Sequence, residues 1–217
     1  MQIAEETATR RTTSDEKRFV LHNVSWELYE TLLSELGDRH VFVTFDGGEL
    51  EFMAPSLRHD LAKSWIGRLL ESMAYELGIE IMCCGSTTWK RKDLAKGLEP
   101  DECFYIRNEI RVRHKQIDLS KHPPPDLALE IEVSRSALDR LGIYAALGVP
   151  EVWCYDGKTL RMYHLDNQGS YQLQTHSLQF PLLPSRQFER FIKMRESHSG
   201  NEVLRLFLKW VREHLNS

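Results

Sequence analysis

Apolar and polar residues alternate along this chain with two periods, and the period in force changes at glycines. Leu28, Leu32, Leu33 and Leu36 recur at helical spacing, with Ser25 placed as an N-cap and Gly37 as a stop, so a helix is expected from about Trp26 to Leu36. HVFVTFDGGELEFM alternates on both sides of Gly47-Gly48 and reads as a hairpin. A longer apolar stripe (Leu61, Trp65, Ile66, Leu69, Leu70, Met73, Leu77) predicts a helix from about Leu57 to Leu77, capped by Ser56. His59 lies seven residues before Ile66 and so falls over the apolar face; Glu71 falls on the far, solvated side. IEIMCCGSTTWKRK, DECFYIR and PDLALEIEVS read as three successive strands.

Ser136 to Leu147 is expected to be a short helix, with Ser136 and Asp139 as a capping-box-like start and Gly148 as its end. EVWCYD and TLRMYHL are strands joined at Asp156-Gly157, and YQLQTHSLQF continues the β character. Two C-terminal helices close the chain, about Ser185 to Arg195 and Glu202 to His214. The PDLALEIEVS strand, its helix and EVWCYD form a β-α-β crossover with parallel strands. Strands with short links are expected to be antiparallel. A mixed sheet with helices on its faces follows.

The PDLALEIEVS strand carries the chemistry. Leu127, Leu129, Ile131 and Val133 form one face; Asp126, Ala128, Glu130, Glu132 and Ser134 form the other. Alternating acids are ordinary on the wet face of an edge strand. A strand that opens a β-α-β unit is internal, however, and wet carboxylates on an internal strand suggest a cleft. Residues four apart on a strand are separated by about 13 Å, so Asp126 and Glu130 cannot share one small cation. A partner for Glu130 must come from a neighbouring strand, and Asp101, after Pro100 at the head of ECFYI, is placed to supply it.

Composition narrows the setting. The 217 residues are 41% hydrophobic with a formal net charge of −4, so any nucleic-acid partner must be met by a local basic patch on an acidic body. Arg111, Arg113 and Lys115 are the sharpest such cluster, although a surface loop is the ordinary reading of it. The four cysteines form no C-x-x-C pair, which argues against a zinc site or a disulfide framework and suits a reducing compartment. No apolar run approaches the length of a membrane span, and the N-terminus has no signal-peptide core; a cytoplasmic protein is expected.

The Pro100-Asp101 pair and the Glu130-x-Glu132 pattern resemble the PD-(D/E)XK nuclease superfamily. GGELEFMAPS, RHDLAKSWIGRLLESMAYELGIEI, GSTTWKRKDLAKGLEPDECFYI, PPPDLALEIEVSRSALDR and IYAALGVPEVWCYDG resemble the Uma-two family of endonucleases, over about Phe42 to Gln172. This implies a restriction-endonuclease-like α-β-β-β-α-β core with a mixed sheet flanked by helices, plus an extra N-terminal helix and hairpin and C-terminal helices. Residues 1–18 are then a polar leader, 19–180 the nuclease domain and 181–217 its helical extension. The resemblance further implies Mg²⁺ (or Mn²⁺) held by Asp101 and Glu130, and hydrolysis of DNA phosphodiester bonds.

The motif's lysine should stand at 132, where this chain has Glu132, which leaves a general base or third ligand there. Lys90 or Lys92 on the preceding strand could then supply the missing cation. Glu49 and His59 lie in segments resembling family site elements, and Asp126 is a further candidate of more structural character. The lost lysine leaves an alternative open: a catalytically weakened nuclease-fold module that binds nucleic acid or a protein partner. The C-terminal helices carry stripes (Phe188, Phe191 and Ile192; Val203, Phe207 and Val211) that must cover either the core or a second copy, and a homodimer is expected.

Overall fold

The computed structural model describes residues 16–37, 40–132 and 136–215. The expected leader therefore lies mostly outside the described residues. Its last positions do not: β1 (Lys17–Leu21) already pairs with β3 (Glu49–Ala54). Helix α1 (Trp26–Leu36) starts where Ser25 Oγ accepts the Leu28 N–H, as its sequence implied. β2 (Phe42–Asp46) and β3 form the expected hairpin, turning through Gly47 and Gly48 at φ 57° and 108°, values that side-chain-bearing residues rarely adopt.

Helix α2 (Leu57–Glu76) is capped by Ser56. The run IEIMCCGSTTWKRK is not one strand. Gly85, at φ 57°, breaks it into β4 (Met82–Cys83) and β5 (Trp89–Arg91), which belong to different sheets. β6 (Lys96–Leu98), unforeseen because its three residues include Gly97, pairs with β5 and β2. β7 (Glu102–Tyr105), the single-turn α3 (Glu109–Val112) and β8 (Leu127–Ile131) follow.

Helix α4 (Arg140–Leu147) begins four residues later than the capping-box reading placed it. Asp139 caps it through the Gly142 N–H, while the Ser136 hydroxyl donates to Glu51 on β3 instead. β9 (Glu151–Tyr155), β10 (Leu160–Leu165), β11 (Tyr171–Gln174), α5 (Ser185–Lys193) and α6 (Gly200–His214) complete the chain.

Two sheets result. One has the order β11-β10-β9-β8-β7-β4; β8 and β9 are parallel across α4, and the other pairs are antiparallel. The other, β1-β3-β2-β6-β5, is antiparallel throughout and was not anticipated as a separate sheet. β8 is internal and buried along its whole length. Its Leu127, Leu129 and Ile131 pack with Ile66, Leu69 and Leu70 of α2, while Ala128 on the opposite face packs with Ile143 and Tyr144 of α4. α5 and α6 bury Phe188, Phe191, Phe207 and Val211 in the α2-side core of their own chain. The stripes that suggested a dimer are therefore consumed within one molecule, since burying them here removes the apolar surface a partner would cover.

Candidate active site

The β7–β8 register pairs Glu102 with Leu129, so one step further Asp101 stands opposite Glu130 across two neighbouring strands. Both are buried, Asp101 at 1% and Glu130 at 6% exposure. Each is held in a different way. Asp101 Oδ2 accepts the Ile131 N–H at 2.5 Å, which caps the end of the ladder. Asp101 Oδ1 lies 3.0 Å from His59 Nε2 but makes no well-formed hydrogen bond, and neither do the His59 ring nitrogens. Burial opposes protonation of His59, but Asp101, with Glu16 and Asp60, outweighs it and lifts the imidazole pKa.

Glu130 faces the start of α4. Arg140 Nε donates to Oε2 at 3.0 Å and Arg140 Nη2 to Oε1 at 2.5 Å, and the Tyr144 hydroxyl donates to the same Oε1. Arg140 also donates to Thr44 Oγ1 of β2 (2.5 Å) and to the Glu99 carbonyl (2.8 Å). The guanidinium thus bridges the two sheets at the site. Burial pushes the Glu130 carboxyl up to about 7, with Asp101 adding in the same direction and Arg140 and Tyr144 opposing.

Arg140 was not singled out from the sequence, which directed the search for a cation to β5. Lys90 Nζ, on β5, lies 2.8 Å from Glu30, and Lys92 Nζ, just past its end, 3.2 Å from Glu27, both acids on α1. Among the described residues, Arg140 is the cation in contact with Glu130. A local signal existed: Arg140 and Tyr144 are four apart at the start of the crossover helix and share one face. Their contact with Glu130, however, spans a loop that no periodicity reads.

The remaining candidates separate cleanly. Glu132 lies just past β8, is exposed, and lines with Glu130, Arg140 and Cys154 a cavity of about 810 Å³. Burial first, and Glu132 next, drives the Cys154 thiol pKa well up. Asp126, at the other end of β8, accepts from the Ile106 and Asn108 N–H groups and from Asn108 Nδ2, and so clamps the loop after β7. Glu49 is half-buried and 2.7 Å from His22. Its neighbour Glu51, unmarked in the sequence, is the buried one: it accepts from Arg18, Ser136 and the Ala137 N–H. Of the basic cluster, Arg113 is paired with Glu109 (2.7 and 2.6 Å), and Arg111 and Lys115 are bonded within their own loop.

The donor set suits a hard divalent cation, which takes carboxylate oxygens. The buried Asp101 Oδ1 without a hydrogen bond is the valence such an ion would fill. Another group of donors, Glu71, Cys83 and Glu102, brings its ligand atoms within 4.8 Å of one another across α2, β4 and β7. Burial pushes the Cys83 thiol up to about 12, which opposes the thiolate a metal needs.

A mixed sheet with opposed carboxylates on adjacent strands, flanked by helices on both faces, places the molecule in the restriction-endonuclease-like class. The family model for Uma2, described as "Putative restriction endonuclease", matches residues 26–192, and the chain belongs to that family. Among solved structures, it is similar to one described as a "putative nuclease belonging to DUF820" from Anabaena variabilis ATCC 29413. That pair has 16% identity and a TM-score of 0.46, covering 76% of this chain and 90% of the other. No curated protein matches the chain. Among the described residues no helix is long and apolar enough to cross a membrane.

Proposed function

We propose that this protein is a metal-dependent endonuclease that hydrolyses DNA phosphodiester bonds at the Asp101–Glu130 pair. The observation that carries the reading is the pairing itself: two buried carboxylates opposite one another, one with an oxygen lacking any hydrogen bond. Asp101 and Glu130 would hold Mg²⁺ or Mn²⁺, with His59 orienting Asp101 from behind. When bound, such an ion supplies phosphate polarisation and a water of lowered pKa.

This chain's own residues do the rest. Arg140, fixed by Thr44 and the Glu99 carbonyl, holds a guanidinium against Glu130 and would supply the cation of the motif's missing lysine. Its planar fork suits phosphate and cannot lose its proton at working pH. Glu132, at the cavity mouth, is placed to accept a proton from an attacking water. The Arg140–Glu130 bridge must loosen for Glu130 to turn an oxygen toward a metal.

That bridge is also the observation favouring the alternative, a nuclease fold whose catalysis is weakened because a guanidinium already neutralises Glu130. Plasmid nicking with Mn²⁺ and Mg²⁺ decides between them. Activity in the wild type that disappears in Glu130→Ala and Asp101→Asn supports the enzyme. Absence of activity in all three, with no metal-induced shift in melting temperature, supports the non-catalytic module.

A further inference from the structure

A second concavity, of about 480 Å³, lies on the α2 side of the sheet. Its cationic lining comes from Arg58 and Arg68 on α2 and from Arg195 in the turn after α5, with Trp65 between them and Glu196 as an acid in the wall. About half of the cations among the described residues are spent on nearby acids. These three are not: no carboxylate oxygen of the described residues comes within 4.0 Å of any of them. Arg68 donates to the Asn201 side-chain oxygen (2.8 Å) and Arg195 to the His198 carbonyl (2.7 Å), both neutral acceptors that leave the charge uncompensated. The Arg195 and Arg68 guanidiniums lie 5.2 and 5.9 Å from the centre of the Trp65 ring, a contact that orients them without neutralising them.

On an acidic body, such a grouping favours a polyanion. Two features make it an extended one. Arg58 and Arg68 are ten residues apart on α2, about 15 Å along its axis. At about 3.4 Å of rise per nucleotide, several phosphates of one DNA strand cover that span. The groove also comes close to the candidate active site: Ile131, the residue after Glu130, is among the residues that line each concavity. It opens at the carboxyl ends of β8 and β9, where open α/β sheets receive their ligands.

We infer that the Arg58–Arg68–Arg195 groove is the track for the DNA backbone leading to the Asp101–Glu130 pair, in place of the Arg111–Arg113–Lys115 cluster, whose Arg113 is ion-paired to Glu109. The inference rests on the nuclease reading above.

The test is fluorescence anisotropy with a short labelled DNA duplex, in EDTA so that no cleavage occurs, across a salt series. Arg58→Gln, and the triple variant with Arg68→Gln and Arg195→Gln, should each bind more weakly. The slope of log affinity against log salt should fall by about one for each arginine removed. Arg111→Gln should leave it unchanged. Arg58 is exposed and makes no ion pair, so its single variant keeps the test valid if the triple variant folds poorly.

Unchanged slopes in the groove variants, with loss in Arg111→Gln, overturn the track while leaving the nuclease reading intact. Equal binding of poly-glutamate and duplex by the wild type, or no duplex binding at all, overturns it too. Plasmid nicking by wild type and Asp101→Asn, run alongside, reports on the nuclease reading separately.

Discussion

The two ends of β8 each carry a buried acid, and they are built on opposite principles. Asp126 is satisfied by three neutral donors, two of them backbone N–H groups. Glu151 on the neighbouring β9 follows the same design, taking the Trp153 indole, the Leu178 and Gln179 N–H groups and the Ser177 hydroxyl. Four residues from Asp126, Glu130 is held by a charged arginine and a tyrosine, and its neighbour Asp101 keeps an oxygen without a hydrogen bond. An acid surrounded by fixed backbone donors is a staple, because its ionised form is fully solvated by the fold. An acid facing another acid and a guanidinium that has other acceptors in reach can exchange partners. The contrast locates function at the carboxyl end of β8 better than burial does, since both ends are equally buried.

The largest test of that contrast is activity. Asp101→Asn should bring metal-dependent nicking to background while the melting temperature holds or rises, because a buried carboxylate facing Glu130 becomes neutral. Asp126→Asn should do the reverse, with nicking per folded molecule retained. If Asp126→Asn loses nicking without losing stability, the two ends are not different in kind.

Next in size is stability. Arg140→Met removes the guanidinium and leaves Glu130 buried without its cation, at a cost of about 3–5 kcal/mol in denaturant unfolding. Arg140→Lys should recover part of that. Asp126→Ala strands N–H donors at about 1–3 kcal/mol each, and should show no rescue by added metal.

A smaller effect concerns pH. Burial lifts the Glu130 carboxyl from the ordinary glutamate value of 4.5 to about 7 in the fold. The native state therefore holds a proton that the unfolded chain releases. Its contribution to stability is complete below about 4.5 and is lost as pH rises through about 7. Metal must displace that proton, so Mn²⁺ affinity measured by calorimetry should increase over the same window and level off above it. Affinity that is flat from pH 5 to 8 would remove Glu130 from the ligand set.

What could be read in the sequence was local. The Ser25 cap, the Gly47-Gly48 turn and the alternation of Leu127, Leu129 and Ile131 are set by neighbours in the chain, and the structure keeps all three. The Asp101–Glu130 juxtaposition was also legible, because Asp101 heads a strand able to pair with the one that carries Glu130, and the two strands do pair. The rest depended on distant partners. Ser136 gave up its capping role to Glu51, 85 residues away. The strand through Cys83 and Trp89 divided between sheets at Gly85. Arg140 met Glu130 only because α4 folds back over β8.

The smallest expected effect on stability, and the sharpest on mechanism, belongs to Glu132. It is exposed and past the end of β8, so Glu132→Lys should change unfolding free energy by no more than about 0.5 kcal/mol. Its chemical consequence depends on who supplies the motif's cation. If Arg140 fills that role, a lysine at 132 adds a second cation and removes the proton acceptor, so nicking should fall while Mn²⁺ affinity changes little. If the Arg140–Glu130 bridge has disabled the site, the new ammonium can compete for Glu130 and free Arg140, and nicking should rise above the wild type. Coupling to Arg140→Lys separates these further. A double variant whose rate equals the product of the single effects places the two positions in independent roles, and one that departs from it shows that they act on the same carboxylate.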